Sequence, residues 1–545
     1  MRDERSSARY GGIPGISTHM KSEWFAVGLI VAYAGLLALR YDSVPGGLCN
    51  DAVQETQTGY NAVFRDGFPV MAFDPHSIGI ETLWAGVAGV LVRTLGHESL
   101  AICMSSWLAI VLMLVMLLLF ARRHRRDIDP ALLVLVAISM PWVFHYGRSG
   151  LRAASAGMFM AADLAALSMF VQKPYGLKGP IALGCSLAMG VYAYTSLRVP
   201  PLSYALFAAI QVATAGPSRK AWCVQHAKVV ATALLVSLPN IVYAIREPGL
   251  FFGRGTYNVV GSAGDRIFAI VESAVLPLWY DSARYTTIVG TADGGVRWIF
   301  DAVATALPLA RIAPVPVLIG IAMLAGMTMV PTLDKPTRQV ATFGLLTYGL
   351  TAVLIGFMGP SQTRLSILMP IVALFAAIAL QRAARFWPPA GGLATAALVA
   401  VLGAFSIGSY FQRMPRGVWA RPYAVAAMAA GRAARELAAG GAQVLVVVAK
   451  DRNTVEYFTA SQAERVDVVE FYRRPFDPAD IDRQGWHPDA VVVSLDPAGD
   501  PAMPAATMLD AARHFNEAYE LVAAQPGLPF LVYVRQPSFR NPSDG

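Results

Sequence analysis

Five acidic residues, Asp51, Glu55, Asp66, Asp74 and Glu81, crowd into the segment PGGLCNDAVQETQTGYNAVFRDGFPVMAFDPHSIGIETLW (45–84), in a chain where only 15% of 545 residues are charged. A carboxylate held near an aqueous surface can draw a proton from an arriving hydroxyl or amine, and Asp51, soon after the first long apolar run, is placed for that. Arginines recur singly elsewhere: Arg148 and Arg152 in HYGRSGLRAA (145–154), Arg198 beside Tyr194 in GVYAYTSLRVPP (190–201), and Arg254 in REPGLFFGRGTYNVV (246–260). The guanidinium fork matches a phosphate bidentately. A solvated loop and snorkelling arginines are the bland explanation for each feature alone. Four arginines at equivalent positions, with carboxylates, suggest a site for an anionic lipid headgroup. Asp163 lies in the middle of an apolar run (157–170) and is either a hydrogen-bond node or part of a pocket wall.

These residues hang on an apolar frame. The chain is 55% hydrophobic, with a mean hydropathy of +0.48, more apolar surface than a soluble chain of this length can bury. Runs suitable for crossing a bilayer lie at 24–39, 100–120, 131–146, 153–172, 181–197, 199–215, 229–245, 312–330, 340–358, 365–380 and 391–410. The polar, basic tail 1–23 carries no cleavage signal after the first run, so that run reads as an anchor. Residues 78–95 are apolar but broken by glycines, and carry Glu81 and Arg93. If they do not cross, the basic loops ARRHRRD (121–127), KPYGLK (173–178), PSRKAWCVQHAK (217–228), LDKPTR (333–338) and QRAAR (381–385) share the cytoplasmic side with the N-terminus. The other arrangement puts every one of them outside. The expected architecture is therefore an all-α polytopic membrane protein with about eleven spans at 24–410. Outer loops 41–99 and 246–311, and everything from 411 onward, lie on the outer face.

Beyond residue 410 the pattern changes. Residues 421–437 read as an amphipathic helix, and QVLVVVA (443–449), VDVVEFY (466–472), DAVVVSL (489–495), YELVAA (519–524) and FLVYVR (530–535) as strands, which predicts a small C-terminal α/β domain at 411–545. No glycine-rich phosphate loop, metal cluster or nucleophile elbow is present in it. Cys49, Cys103, Cys185 and Cys223 show no metal or redox spacing. The DIDP at 127–130 is explained by helix capping on the inner face. No cofactor is implied, a divalent metal being possible but not indicated. The net charge of +8 is carried largely by the inner loops and calls for no nucleic acid. A transporter would show two related halves with paired broken helices, and no such repeat is visible.

The order of these features resembles the polyprenyl-phosphate-sugar-dependent GT-C glycosyltransferases, in particular bacterial relatives of protein O-mannosyltransferases and the aminoarabinose transferase of lipid A. PGGLCNDAVQETQTGYNA (45–62) is similar to the family's segment after the first span, and GIETLW (79–84) to its Gly-Arg-Glu-Pro-Leu-Phe element. GRSGLRA (147–153), YTSLR (194–198) and FFGR (251–254) match its arginine turns in order. The likeness covers roughly 24–410. Two departures stand out: Ala52 replaces the second residue of the usual acidic pair, and Ile80 replaces an arginine. A three-residue shift aligns Gln54-Glu55 with that pair, so Asp51 and Glu55 are both candidate bases. The resemblance implies inverting transfer of one sugar from a polyprenyl-phosphate donor to an unidentified glycan, lipid or protein acceptor at the outer face of a bacterial inner membrane, with the C-terminal domain periplasmic. Asp51, Glu55 and Glu81 would form the catalytic set; Arg148, Arg152, Arg198 and Arg254 would bind the donor phosphate; Tyr60, Tyr194 and Asp163 would line the pocket. Alternatives are a lipid-linked oligosaccharide polymerase or ligase of the same fold class and, from another class, a transporter or flippase.

Overall fold

The computed structural model describes residues 15–535 except 43, 45–47, 75–76, 257–262, 276–313, 358–361, 387–389, 414–424, 449–451, 471–487, 495–518 and 524–529. The protein is a polytopic helical bundle carrying a small sheet near its C-terminus. Each of the eleven expected apolar segments is helical. They correspond to α1 (Gly15–Ala38), α4 (Ser99–Arg123), the pair α5 (Pro130–Ser139) and α6 (Pro141–Arg148), α7 (Ala154–Gln172), α8 (Lys178–Val191), α9 (Val199–Thr214), α10 (Arg219–Arg246), α13 (Pro314–Thr328), α14 (Lys335–Phe357), α16 (Met369–Ala384) and α17 (Ala390–Arg413). Among the described residues, six helices are long and apolar enough to cross a membrane on their own, and α5–α6, bent by 69°, makes a seventh if the pair is one span. Pro141 explains the bend, because it lacks an amide proton and disfavours helical geometry at Met140. The remaining segments are shorter helices.

Between α1 and α4 lie α2 (Asn50–Phe64), β1 (Met71–Asp74), β2 (Ser77–Glu81) and α3 (Thr82–Leu95), with α11 (Pro248–Thr256), α12 (Ala263–Val275) and α15 (Gln362–Leu365) following later in the chain. Helix α3 packs along α2, with backbones so close that a Cβ at Gly59 would sit 1.9 Å from the carbonyl oxygen of Ala85. Small residues permit this approach. Both ends of α3 lie at the end of the bundle where α4 and α7 begin. Glu81 meets Arg152 just before α7, while Glu98 leads directly into α4.

The basic loops gather at the opposite end. Buried His124 bonds Thr337 and Ser168 at 2.9 and 2.7 Å, Asp127 pairs with Arg382 at 3.3 Å, and Arg385 donates to the Arg126 carbonyl. Helix α4, 25 residues long, separates the two ends.

The C-terminal region contains α18 (Val425–Ala439), β3 (Val444–Val448), α19 (Arg452–Thr459), β4 (Val466–Glu470), β5 (Ala490–Ser494), β6 (Tyr519–Ala523) and β7 (Phe530–Arg535). All five expected strands are present, in the order β4-β3-β5-β7-β6. The first three are parallel, and β7 joins β5 and β6 antiparallel. Unbroken apolar runs in β3 and β5 suit central strands buried on both faces. This unit docks against the acidic end of the bundle. Arg435 pairs with Glu98 at 2.7 Å, the Tyr457 hydroxyl donates to the Glu98 carbonyl at 3.1 Å, and His97 lies between the rings of Tyr60 and Tyr457.

The two ends give a direct test of sidedness. Arg126 and Asp66 are both exposed, at the basic and acidic ends. On intact cells, an impermeant maleimide is expected to label a cysteine at position 66 and spare one at 126 until the membrane is opened; the reverse labelling would invert the assigned topology.

Candidate active site

Arg152 organises the acidic end. The chain turns at Gly150, whose φ of +72° favours glycine and whose missing Cβ leaves room for Ile102. That turn delivers Arg152, 2% exposed, between two carboxylates. Its Nε donates to Glu55 Oε1 at 3.1 Å and its backbone N–H to Glu55 Oε2 at 3.2 Å. Its Nη1 donates to Glu81 Oε2 at 2.6 Å. The second oxygen of Glu81 accepts from the Thr195 hydroxyl at 2.6 Å and from Arg198 Nη2 at 3.2 Å. Four distant parts of the chain are thereby tied: α2, the β2–α3 junction, the turn before α7, and the rim 194–198.

Burial alone would lower the Arg152 pKa, but Glu55 and Glu81 hold it above its ordinary value. The guanidinium also stacks 5.1 Å from the Tyr194 ring centroid. Its Nη2 is buried and has no hydrogen-bond partner among the described residues. Burial pushes the Tyr194 phenol up, and its hydroxyl is engaged by Thr363, with Arg364 beside it. Arg198, 24% exposed, is the more open guanidinium: Nη1 donates to the Phe251 carbonyl at 2.9 Å, and the group lies 4.1 Å from the Phe251 ring centroid. This brings α11, the FFGR helix, to the rim.

The three candidate carboxylates thus have different environments. Glu81, 2% exposed, spends both oxygens on Arg152, Thr195 and Arg198. Glu55 spends both on Arg152. Asp51 is exposed in the first turn of α2, four residues before Glu55 and so on the same helix face.

The other sequence-selected residues lie elsewhere. Arg148 and Arg152 do not share a helix face, because the chain leaves α6 at Arg148 and turns at Gly150 before α7. The Arg148 guanidinium donates instead to the carbonyls of Leu36, Leu37, Arg40 and Val44, at 3.4, 2.5, 2.9 and 2.6 Å. It caps the end of α1 and fixes the chain leading to Asp51. Asp163 accepts from Ser186 at 2.6 Å, joining α7 to α8 about three turns from the cluster. Tyr60 faces Phe64 and His97 at the joint with the C-terminal unit. Much of the outer loop 246–311, and the side chain of Arg254, lie outside the described residues. Thr195, Thr363 and Arg364 were missed from sequence. Arg364 had a usable signal, as a single arginine at the head of an apolar run, but the two hydroxyls had none. Among the described residues no group of three or more His, Cys, Asp or Glu is placed to hold a metal.

No family model and no curated protein sequence matches the chain. Solved structures do. ArnT from Cupriavidus metallidurans bound to undecaprenyl phosphate aligns over 95% of this chain and 98% of its own, with a TM-score of 0.56 and 14% identity. The chain has the fold of ArnT. The apo form of ArnT aligns over 95% and 99%, with a TM-score of 0.55 and 13% identity. ArnT matches this chain across both the helical bundle and the C-terminal sheet, so the sheet belongs to the shared architecture.

The Arg152 bridge makes a stability prediction. Arg152→Gln leaves two carboxylates buried against one lost guanidinium, and is expected to cost about 3–5 kcal/mol. Combining it with Glu55→Gln and Glu81→Gln should recover part of that loss. Thermal unfolding of the purified variants in detergent reads both effects. A single variant as stable as wild type would remove the bridge from its organising role.

Proposed function

We propose that the protein is a membrane glycosyltransferase that moves a sugar from a polyprenyl-phosphate carrier to an acceptor hydroxyl or amine at the acidic end of the bundle, with Asp51 as general base. One observation carries the choice of base: Glu55 and Glu81 are consumed by arginines, whereas Asp51 is exposed one helical turn away. A carboxylate already held by guanidinium donors has to give up those hydrogen bonds before it can engage an acceptor. The fold supports the donor class, since ArnT shares it and was crystallised with undecaprenyl phosphate. The order of short motifs in residues 45–254 supports the same reading.

In the proposed step, Asp51 takes the acceptor's proton as the acceptor oxygen or nitrogen forms its bond to the anomeric carbon. The bond from that carbon to the carrier phosphate breaks, and the phosphate leaves with the electron pair, so configuration inverts. Charge builds on the departing phosphate, where Arg198 and Arg364 at the rim would stabilise it. Arg152 Nη2, buried and without a hydrogen-bond partner among the described residues, is a spare donor within the same cluster. The basic end of the bundle is assigned to the cytoplasm and the acidic end, with the C-terminal domain, to the periplasm.

Profiling glycolipids and glycoproteins of a deletion strain tests this reading. Loss of one defined sugar is expected, restored by wild type and not by Asp51→Asn, whose transfer rate should fall on the order of a hundredfold or more. The Asp51→Asn protein should elute and unfold much like wild type, because Asp51 is exposed and the change keeps its size, whereas Glu55→Gln should lower the unfolding temperature. Restoration of the sugar by Asp51→Asn would move the base elsewhere, and an unchanged profile in the deletion strain would reject the transferase.

A further inference from the structure

At the end of the bundle opposite the proposed active site, the last turn of α4 and the loop after it form an open cavity of about 300 Å³ lined by Arg122, Arg123, His124, Arg125, Arg126 and Asp334. We propose that this cavity binds the headgroup of an anionic glycerophospholipid. Several of its charges are already matched. Arg122 and Arg125 both pair with Glu23 of α1, the former at 3.2 Å. The His124 ring spends both nitrogens on Thr337 and Ser168. Asp334 caps α14 by accepting from the Thr337 amide at 2.8 Å.

Arg123 and Arg126 are different. Among the described residues, Arg123 donates only to a carbonyl of its own helix, that of Leu119 at 3.0 Å. Arg126 offers its own carbonyl to Arg385, and its guanidinium forms no ion pair among the described residues. Two exposed guanidiniums without carboxylate partners therefore face one cavity, and a phosphodiester supplies the missing negative charge in a geometry the guanidinium fork matches.

The surroundings favour a lipid over a soluble anion. Trp24 and Phe25, next to Glu23, are 70% and 58% exposed. Phe386, next to Arg385, is 79% exposed. Exposed aromatic rings beside a basic cavity, at the end of a membrane bundle, are placed to sit at headgroup depth and against the upper acyl chains. A general attraction of basic loops for an anionic leaflet would involve Lys178 and Arg338 at the same end equally, but neither lines the cavity.

Native mass spectrometry of the delipidated, full-length protein titrated with phosphatidylglycerol or phosphatidylcholine separates these cases. Wild type is expected to retain phosphatidylglycerol at least tenfold more strongly than phosphatidylcholine. The Arg123→Ala/Arg126→Ala pair should lose that preference, while Lys178→Ala/Arg338→Ala keeps it. Arg123→Lys/Arg126→Lys retains charge and helix-end anchoring, so it guards against a folding defect; severalfold weaker binding is expected from it. Equal weakening in both alanine pairs would mean diffuse attraction and overturn the proposal. So would displacement of the lipid by millimolar inorganic phosphate.

Discussion

One buried guanidinium, that of Arg152, holds the acidic end of this protein together. Two carboxylates drawn from α2 and from the β2–α3 junction would not tolerate each other so far from water. Their desolvation is offset because a single fork lies between them with hydrogen bonds to both. The positions of α2, α3, the turn at Gly150 and the rim at Arg198 then cease to be independent. Moving any one of them breaks an ion pair with little water at hand to replace it.

That constraint accounts for how an exposed Asp51 can be held with useful precision. The residue stands one turn above Glu55 on α2, so the Glu55–Arg152 pair fixes its helix from below. Arg148 fixes the chain entering that helix by gathering four carbonyls at the end of α1. On the far side, Tyr60 of α2 packs through His97 onto Tyr457 of the C-terminal unit, whose Arg435 pairs with Glu98. The sheet is thus braced against the same helix, which gives the C-terminal unit a physical route to influence the acidic end without contributing a reacting group.

Much of this was legible in sequence because a bilayer imposes long apolar runs. Each of the eleven segments fell on helix, and the strands from QVLVVVA to FLVYVR were found because their β-branched runs are short and separated by polar chain. Arg152 and Arg198 were selected from type and spacing, Glu55 and Glu81 through the family resemblance, and all four meet. Arg148 shows the limit. In sequence it is equivalent to Arg152, four residues away, and only the left-handed turn at Gly150 sends the two guanidiniums to different partners. Tyr60 likewise lies on the acidic helix but on the face turned toward the C-terminal unit, since a motif does not reveal which side of a helix a domain more than 350 residues later will cover. Asp163 was poised between two roles, and its single bond to Ser186 assigns it to holding α7 against α8. Thr195 and Thr363 carry no signature, because a hydroxyl that completes an ion network looks like any other in sequence.

The most direct test of the whole account is an experimental structure of the protein in nanodiscs with undecaprenyl phosphate. Phosphate density is expected at the rim bounded by Asp51, Arg198 and Arg364, within hydrogen-bonding distance of a guanidinium, and with the Arg152 bridge to Glu55 and Glu81 intact. A carrier phosphate bound away from that rim, or one that displaces Glu81 from Arg152 to bind, would contradict it.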